Sequence, residues 1–151
     1  MTSVTCEIET KSLSAEELLE MGDTGSCELM ERKIKSTCPA EADHGFVEFQ
    51  LAMILDDFVR EKKPGWILFG GVGIITHRDP DTVRGADIVF ISKNRLPNRP
   101  QRKFLDIAPE LVVEIISPQD NRKDIRDKIE EYFQIGVKCV WLVESPDDGC
   151  T

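Results

Sequence analysis

Apolar residues along this chain repeat with two different periods, and the changes of period mark out its elements. Ser14-Ala15-Glu16-Glu17 opens a helix: Ser14 can cap the first turn while Glu17, three residues on, reaches back to the cap. That helix runs through Leu18 and Leu19 and stops near Gly22. The polar stretch from Glu28 to Ile34 reads as a short strand or hairpin. Over about 42–62, Phe46, Phe49, Met53 with Ile54, and Phe58 recur at three- and four-residue steps, the spacing of a helix face, and Lys62-Lys63-Pro64-Gly65 ends it. Strand-like runs follow at 66–69, 73–77, 86–92 and 111–117, with Asp79-Pro80-Asp81 as a turn and a longer loop from Leu96-Pro97. A helix over about 121–135, closed by Gly136, leads into a last apolar strand at 138–143. The expected fold class is α/β, a mixed central sheet flanked by helices, ending in a right-handed strand-helix-strand crossover. Gly70-Gly71-Val72-Gly73 lacks a following Gly-Lys-Ser/Thr and opens no helix, so these glycines mark a bend or bulge and not a phosphate loop.

Two acids interrupt this apolar pattern. Glu114 stands in the middle of Val112-Val113-Glu114-Ile115-Ile116, a run that reads as a strand covered on both faces. An unpartnered carboxylate there costs several kcal/mol or takes up a proton. Asp87 occupies a similar place in Ala86-Asp87-Ile88-Val89-Phe90-Ile91-Ser92. Strand alternation puts Asp87, Val89 and Ile91 on one face, and Val112, Glu114 and Ile116 on one face. If the strands are neighbours, the two carboxylates converge on one point and offer the oxygen ligands that Mg²⁺ or Mn²⁺ prefers. The competing reading is two acids at strand ends that face solvent.

Positive charge near these acids has one candidate source. Ile125, Ile129, Tyr132 and Phe133 form the inward stripe of the helix that follows. Lys128 lies about 85° from the centre of that stripe on an ideal helix. There it is either a surface lysine or one whose stem follows apolar surface while its ammonium reaches inward. Lys123 points away from the core. Glu28 and His44 are further candidates; against them, a histidine at a helix end is ordinarily a cap or surface residue. No Gly-x-Ser-x-Gly elbow and no His-Glu-x-x-His pair occurs.

Bulk properties narrow the partners. The chain has 151 residues, enough for one domain, and a formal net charge of −9. Duplex DNA held by bare electrostatics calls for a basic surplus, so a nucleic-acid role needs a local basic face. Lys93, Arg95, Arg99, Arg102 and Lys103 form one such cluster, either a solvated loop or a surface for a phosphate backbone. The cysteines (Cys6, Cys27, Cys38, Cys139, Cys150) show no Cys-x-x-Cys spacing and are expected to be reduced thiols. With no apolar run near the roughly 20 residues of a membrane span and no signal-peptide core, the expectation is a cytoplasmic protein without a membrane partner.

Ala86-Asp87-Ile88-Val89-Phe90-Ile91 and the block from Ala108 to Pro118, with Pro109, Glu114 and Ser117 in place, resemble the Uma2 family, a domain of unknown function. So do Lys128-Ile129-Glu130-Glu131-Tyr132, Gly136-Val137 and Val140-Trp141-Leu142-Val143, and more loosely Cys27-Glu28-Leu29 and His44. The resemblance covers about residues 13–146 as one domain, leaving tails at 1–12 and 147–151. It implies a restriction-endonuclease-like fold of the PD-(D/E)XK superfamily and Mg²⁺-dependent (or Mn²⁺-dependent) hydrolysis of nucleic-acid phosphodiesters. In that motif Asp87 takes the place of the first acid and Glu114 the second, with the main-chain carbonyl of Ile115 as a further metal ligand. The motif's lysine falls on Ile116, and Lys128 is its implied substitute. Glu28 corresponds to a helix-side acid of some superfamily members. Ala86 stands where the motif has proline, Glu31-Arg32-Lys33-Ile34-Lys35 replaces a glycine-containing turn, and the sequence stops at Thr151 where relatives continue with further strands. The expected partner is nucleic acid, DNA in the first instance, cut by a homodimer. Two alternatives are a non-catalytic module of the same fold that binds nucleic acid or a protein, and a small metal-dependent hydrolase of nucleotides or phosphoesters.

Overall fold

A computed structural model describes residues 12–22, 24–62 and 64–144; apart from Ser12, the expected tails lie outside the described residues. The elements run α1 (Ala15–Glu20), β1 (Cys27–Met30), β2 (Lys33–Ser36), α2 (Ala42–Lys62), β3 (Gly65–His77), β4 (Thr82–Ser92), β5 (Leu111–Ile116), α3 (Arg122–Ile135) and β6 (Cys139–Glu144). The Ser14 capping box forms as the sequence predicts, with the Glu17 N–H on the Ser14 hydroxyl and the Ser14 N–H on the Glu17 carboxylate. β1 and β2 make a hairpin whose corner residues, Glu31 and Arg32, both take positive φ. Their N–H groups are taken by the Thr82 hydroxyl and the Asp81 carbonyl, which hold a corner that non-glycine residues rarely adopt.

The sheet is mixed. Its order is β2-β1-β4-β5-β6, with β3 paired to β4 as well; the pairings are antiparallel except for β5 with β6, which are parallel across α3. β4 is therefore the central strand, touching β1, β3 and β5. Alternation along β4 and β5 decides which helix covers which face. Ile88 and Val113 pack with Ala52 of α2, while the next residues, Val89 and Val112, pack with Tyr132 of α3. Successive strand residues point to opposite faces, so α2 and α3 lie on opposite sides of the sheet.

Two expectations are corrected, and the side taken by the apolar residues of α2, which the sequence leaves open, is fixed. The runs at 66–69 and 73–77 are one strand, β3, interrupted by a bulge at Gly70-Gly71, where φ is +92° and +75°. Register resumes as Phe69↔Ile88 and Val72↔Ala86, so two glycines oppose the one residue Asp87. Second, β4 begins at Thr82, four residues earlier than the predicted 86, which brings Arg84 into the strand. The apolar stripe of α2 faces outward. Phe46 and Ile54 are 65% and 63% exposed, and Phe49, Met53 and Phe58 about half exposed. The sheet side instead uses Ala52, Val59, Leu51 and Leu55. Because apolar and polar residues are both spread round α2, periodicity does not single out a face, and the small Ala52 allows close approach to the sheet. None of the described helices is long and apolar enough to cross a membrane.

The packing of α2 predicts the effect of enlarging its sheet-facing side. Ala52→Phe should overpack the contact with Ile88 and Val113 and cost about 1–3 kcal/mol in urea unfolding. An unchanged midpoint would put the buried side of α2 elsewhere.

Candidate active site

Asp87 and Glu114 come together because β4 and β5 are antiparallel neighbours. Their register ends at Ile88↔Val113, and Asp87 and Glu114 are the next residue of each strand beyond that pair. Asp87 Oδ2 accepts the Ile115 N–H at 2.7 Å, which ties the first acid to the strand of the second. Glu114 is 8% exposed, and each of its oxygens is held from α3. Tyr132 donates its hydroxyl to Oε1 at 2.8 Å, and Lys128 Nζ lies 3.3 Å from Oε2. These partners are four residues apart on one face of α3, so a single helix face addresses the whole carboxylate.

Lys128 takes the inward of its two predicted placements. Its ammonium donates to the Gly85 carbonyl at 2.7 Å and lies 3.2 Å from Glu28 Oε1. Glu28 Oε1 also accepts the Gly85 N–H at 2.9 Å, and Glu28 Oε2 is 3.3 Å from an Arg84 Nη. His44, near the N-terminus of α2, has Nε2 at 3.3 Å from Asp87 Oδ1 and Nδ1 at 3.8 Å from Glu48. Glu48 accepts the Gly70 N–H at 2.7 Å, so it holds the bulge that faces Asp87. Glu28, His44, Asp87, Glu114, Ile115 and Lys128 all line one cleft of about 820 Å³. Ile116, at the motif's lysine position, lines it too.

The local charge balance is acidic. Glu28 and Glu114 share the Lys128 ammonium, Asp87 is met by the Ile115 N–H and His44, and Arg84 gives its bidentate bond to Glu131. Burial pushes Glu114 up to about 7; the Lys128 charge and the Tyr132 bond pull it down, and the Asp87 charge adds to the rise. Burial by itself would lower Lys128, but the charges of Glu114 and Glu28 outweigh it and hold the lysine above its ordinary value, so it stays cationic. Burial, followed by the Glu114 charge, raises the Tyr132 hydroxyl well above its ordinary value, and it remains a donor.

Sequence reasoning missed Arg84, Glu48 and the partnership of Tyr132 with Glu114. Arg84 gives the same kind of signal as Glu114, a charged residue in an apolar strand (Val83-Arg84-Gly85-Ala86), but it fell before the predicted start of that strand. Glu48 could have been found as the residue one helical turn after His44. The basic loop does not line this cleft. Lys93, Arg95, Arg99, Arg102 and Lys103 are not among the described lining residues, and they follow the far end of β4, roughly 15–20 Å along the strand from Asp87. Arg95 is spent on the Ala108 carbonyl and Glu110, and Lys93 lies over the Trp66 ring. The cation that lines the cleft besides Lys128 is Lys35, which pairs with Asp124 at 3.0 Å.

Among the described residues no three His, Cys, Asp or Glu side chains are grouped as metal ligands. What Asp87, Glu114 and the Ile115 carbonyl do offer is a set of oxygen donors with surplus negative charge, and this suits a hard divalent ion in kind.

A mixed sheet with helices on both faces, carrying two acids on adjacent central strands, defines a restriction-endonuclease-like domain of the PD-(D/E)XK type. The chain belongs to the Uma2 family, whose model, described as "Putative restriction endonuclease", matches residues 15–150. Among solved structures it is similar to one described as a putative nuclease belonging to DUF820, from Anabaena variabilis ATCC 29413. That likeness has a TM-score of 0.70 at 18% identity and covers 87% of this chain and 74% of the other, so it is a likeness of fold. No curated protein matches the chain.

The raised Glu114 makes stability depend on pH. A carboxyl whose folded value lies above its ordinary 4.5 contributes fully below pH 4.5, and that contribution is lost as pH rises through about 7. Parent protein without added metal should therefore lose a few kcal/mol through this group between pH 4.5 and 8. Glu114→Gln should lose less over the same range. Urea unfolding across these pH values checks it; parallel curves for parent and variant would contradict the burial of an ionisable Glu114.

Proposed function

We propose that this protein is a Mg²⁺-dependent endonuclease that hydrolyses phosphodiester bonds in nucleic acid, DNA in the first instance. The observation that supports it most is the meeting of Asp87, Glu114 and Lys128 in one cleft, two acids from neighbouring strands beside a cation from a third element. Asp87, Glu114 and the Ile115 carbonyl would hold Mg²⁺ or Mn²⁺. Bound there, such an ion lowers the pKa of a coordinated water and neutralises charge on the phosphate.

The chain's own groups divide the remaining work. Tyr132 fixes the Glu114 rotamer, and the Ile115 N–H fixes that of Asp87, so both acids are oriented before substrate arrives. Lys128, anchored on the Gly85 carbonyl, stands where its charge stabilises the negative charge that develops on a scissile phosphate or aligns the attacking water. Glu28 serves as an anchor for Lys128, since each of its oxygens already faces a donor. His44 holds the second oxygen of Asp87. Lys35 offers the cleft a further cation for a phosphate backbone, which matters on a chain of net charge −9. A homodimer is part of the proposal. The outward apolar stripe of α2 is a surface that could pair with itself across a two-fold axis, and sedimentation at micromolar concentration should show a dimer.

One observation favours a second reading, a non-catalytic module. Ile116 stands at the motif's lysine position, and the Lys128 ammonium is already engaged by Glu114, Glu28 and Gly85. Calorimetry separates the two, because a dead module shows no Mg²⁺ site at millimolar metal. A panel of DNA, RNA and small phosphoesters with Mg²⁺ and Mn²⁺ separates an endonuclease from a small phosphoester hydrolase.

Asp87→Asn and Glu114→Gln should each reduce Mg²⁺-dependent cleavage to background with unchanged circular dichroism, and Lys128→Ala should lower kcat by about 10²–10³-fold. Acid variants that cut as well as the parent would remove the site assignment.

A further inference from the structure

Lys128 rides on a helix, whereas the motif's lysine rides on the strand of the second acid. A strand lysine is fixed by the register of the sheet. A helical one shifts with its helix: slipping α3 by one residue would turn the side chain by about 100° and carry it about 1.5 Å along the axis. The ammonium therefore keeps its place beside Glu114 only if α3 is locked against β4.

Arg84 is placed to be that lock. It lies on β4 beside Gly85, the residue whose carbonyl accepts from Lys128, and its side chain is 1% exposed. Its guanidinium bonds Glu131 through two nitrogens, at 2.9 and 2.6 Å, and Asp124 at 3.2 Å. Asp124, Lys128 and Glu131 stand at i, i+4 and i+7, one stripe of α3. The helix is thus held one turn before the lysine and one turn after it by a single side chain from the central strand. Each clamp carboxylate has a second anchor: Lys35 on Asp124 at 3.0 Å and the Thr76 hydroxyl on Glu131 at 2.8 Å. The same guanidinium meets Glu28, whose other oxygen faces Lys128. A guanidinium fork can serve three carboxylates at once; a lysine in its place offers a single point charge.

We infer that Arg84 is a positioning residue which, through Glu131, Asp124 and Glu28, sets where the Lys128 ammonium stands beside Glu114 in the cleft. Its consequence for catalysis rests on the nuclease reading; its consequence for the geometry does not.

Crystal structures test the geometry. In Arg84→Gln, Lys128 Nζ should withdraw from the Gly85 carbonyl beyond hydrogen-bond reach, while the Tyr132–Glu114 bond and the β4–β5 register persist. Should that variant fail to fold, Glu131→Gln, which keeps the side chain's shape, should produce the same withdrawal. Lys128 unmoved in whichever variant folds would overturn the inference. In Mg²⁺-dependent cleavage, Arg84→Lys should lower kcat about tenfold or more, with KM within about twofold. In a Lys128→Ala background the same change should cost nothing further. Additive losses would mean that Arg84 acts through general stability, and would also overturn the inference. A parent that cuts no nucleic acid would sink the nuclease reading and leave the crystallographic result to decide this one.

Discussion

A carboxylate inside a β-strand core has to be answered by donors from the layer that covers it, and Glu114 imposes that condition on the whole α3 side of the sheet. Both of its oxygens point at one helix, so the helix must present a hydroxyl and an ammonium one turn apart. Tyr132 and Lys128 meet that requirement, and together with the Arg84 clamp on Asp124 and Glu131 they fix the rotation of α3 about its own axis. Removing either partner would leave a buried charge short of compensation, a far larger penalty than the loss of a surface ion pair. The apolar cluster of Val89, Val112 and Tyr132 supplies the packing; the polar contacts select one rotation of the helix.

Those contacts extend into a network that ties β1, β5 and α3 to β4, and α2 to the neighbouring β3. Glu28 of β1 binds the Gly85 N–H; Asp87 binds the N–H of Ile115 in β5; Arg84 gathers carboxylates from β1 and α3; and Glu48 of α2 holds the bulge of β3 opposite Asp87. The glycine pair does two things at that bulge. It takes up the positive φ angles, and it leaves no side chains on the strand opposite the first acid. Ala86 and Val89, three residues apart, both join the α3-side core, so strand alternation breaks at Asp87 and Ile88, where the site is.

Much of this was legible in local residue patterns. A charge inside an apolar strand is a sound sign of a polar network, because burying it without partners is so costly, and Glu114 and Asp87 were found that way. Arg84, a cation in an equally apolar strand, gives the same kind of signal and was lost to a boundary error of four residues. The placement of Lys128 at the margin of an apolar stripe left two outcomes open, and tertiary contacts chose the inward one. The outward face of α2 could not be read, since Phe46 and Phe49 look as suited to a core as Leu51 and Leu55 do. Only the small Ala52, which lets the helix approach the sheet, tells the sides apart afterwards. The basic loop lies between the two acid-bearing strands in sequence, yet it is not near the acids in space. Antiparallel strands undo that nearness, because they carry a connecting loop to the end opposite the residues they pair.

By itself the sequence determined the elements, the mixed α/β class and the two acids, because periodicity, caps and isolated charges act within a few residues of one another. Tertiary structure decided which helix faces were buried, where the helical lysine pointed and which cation clamped its helix. Each of these depends on contacts between residues far apart in the chain, and a local pattern does not record which partner a side chain will meet.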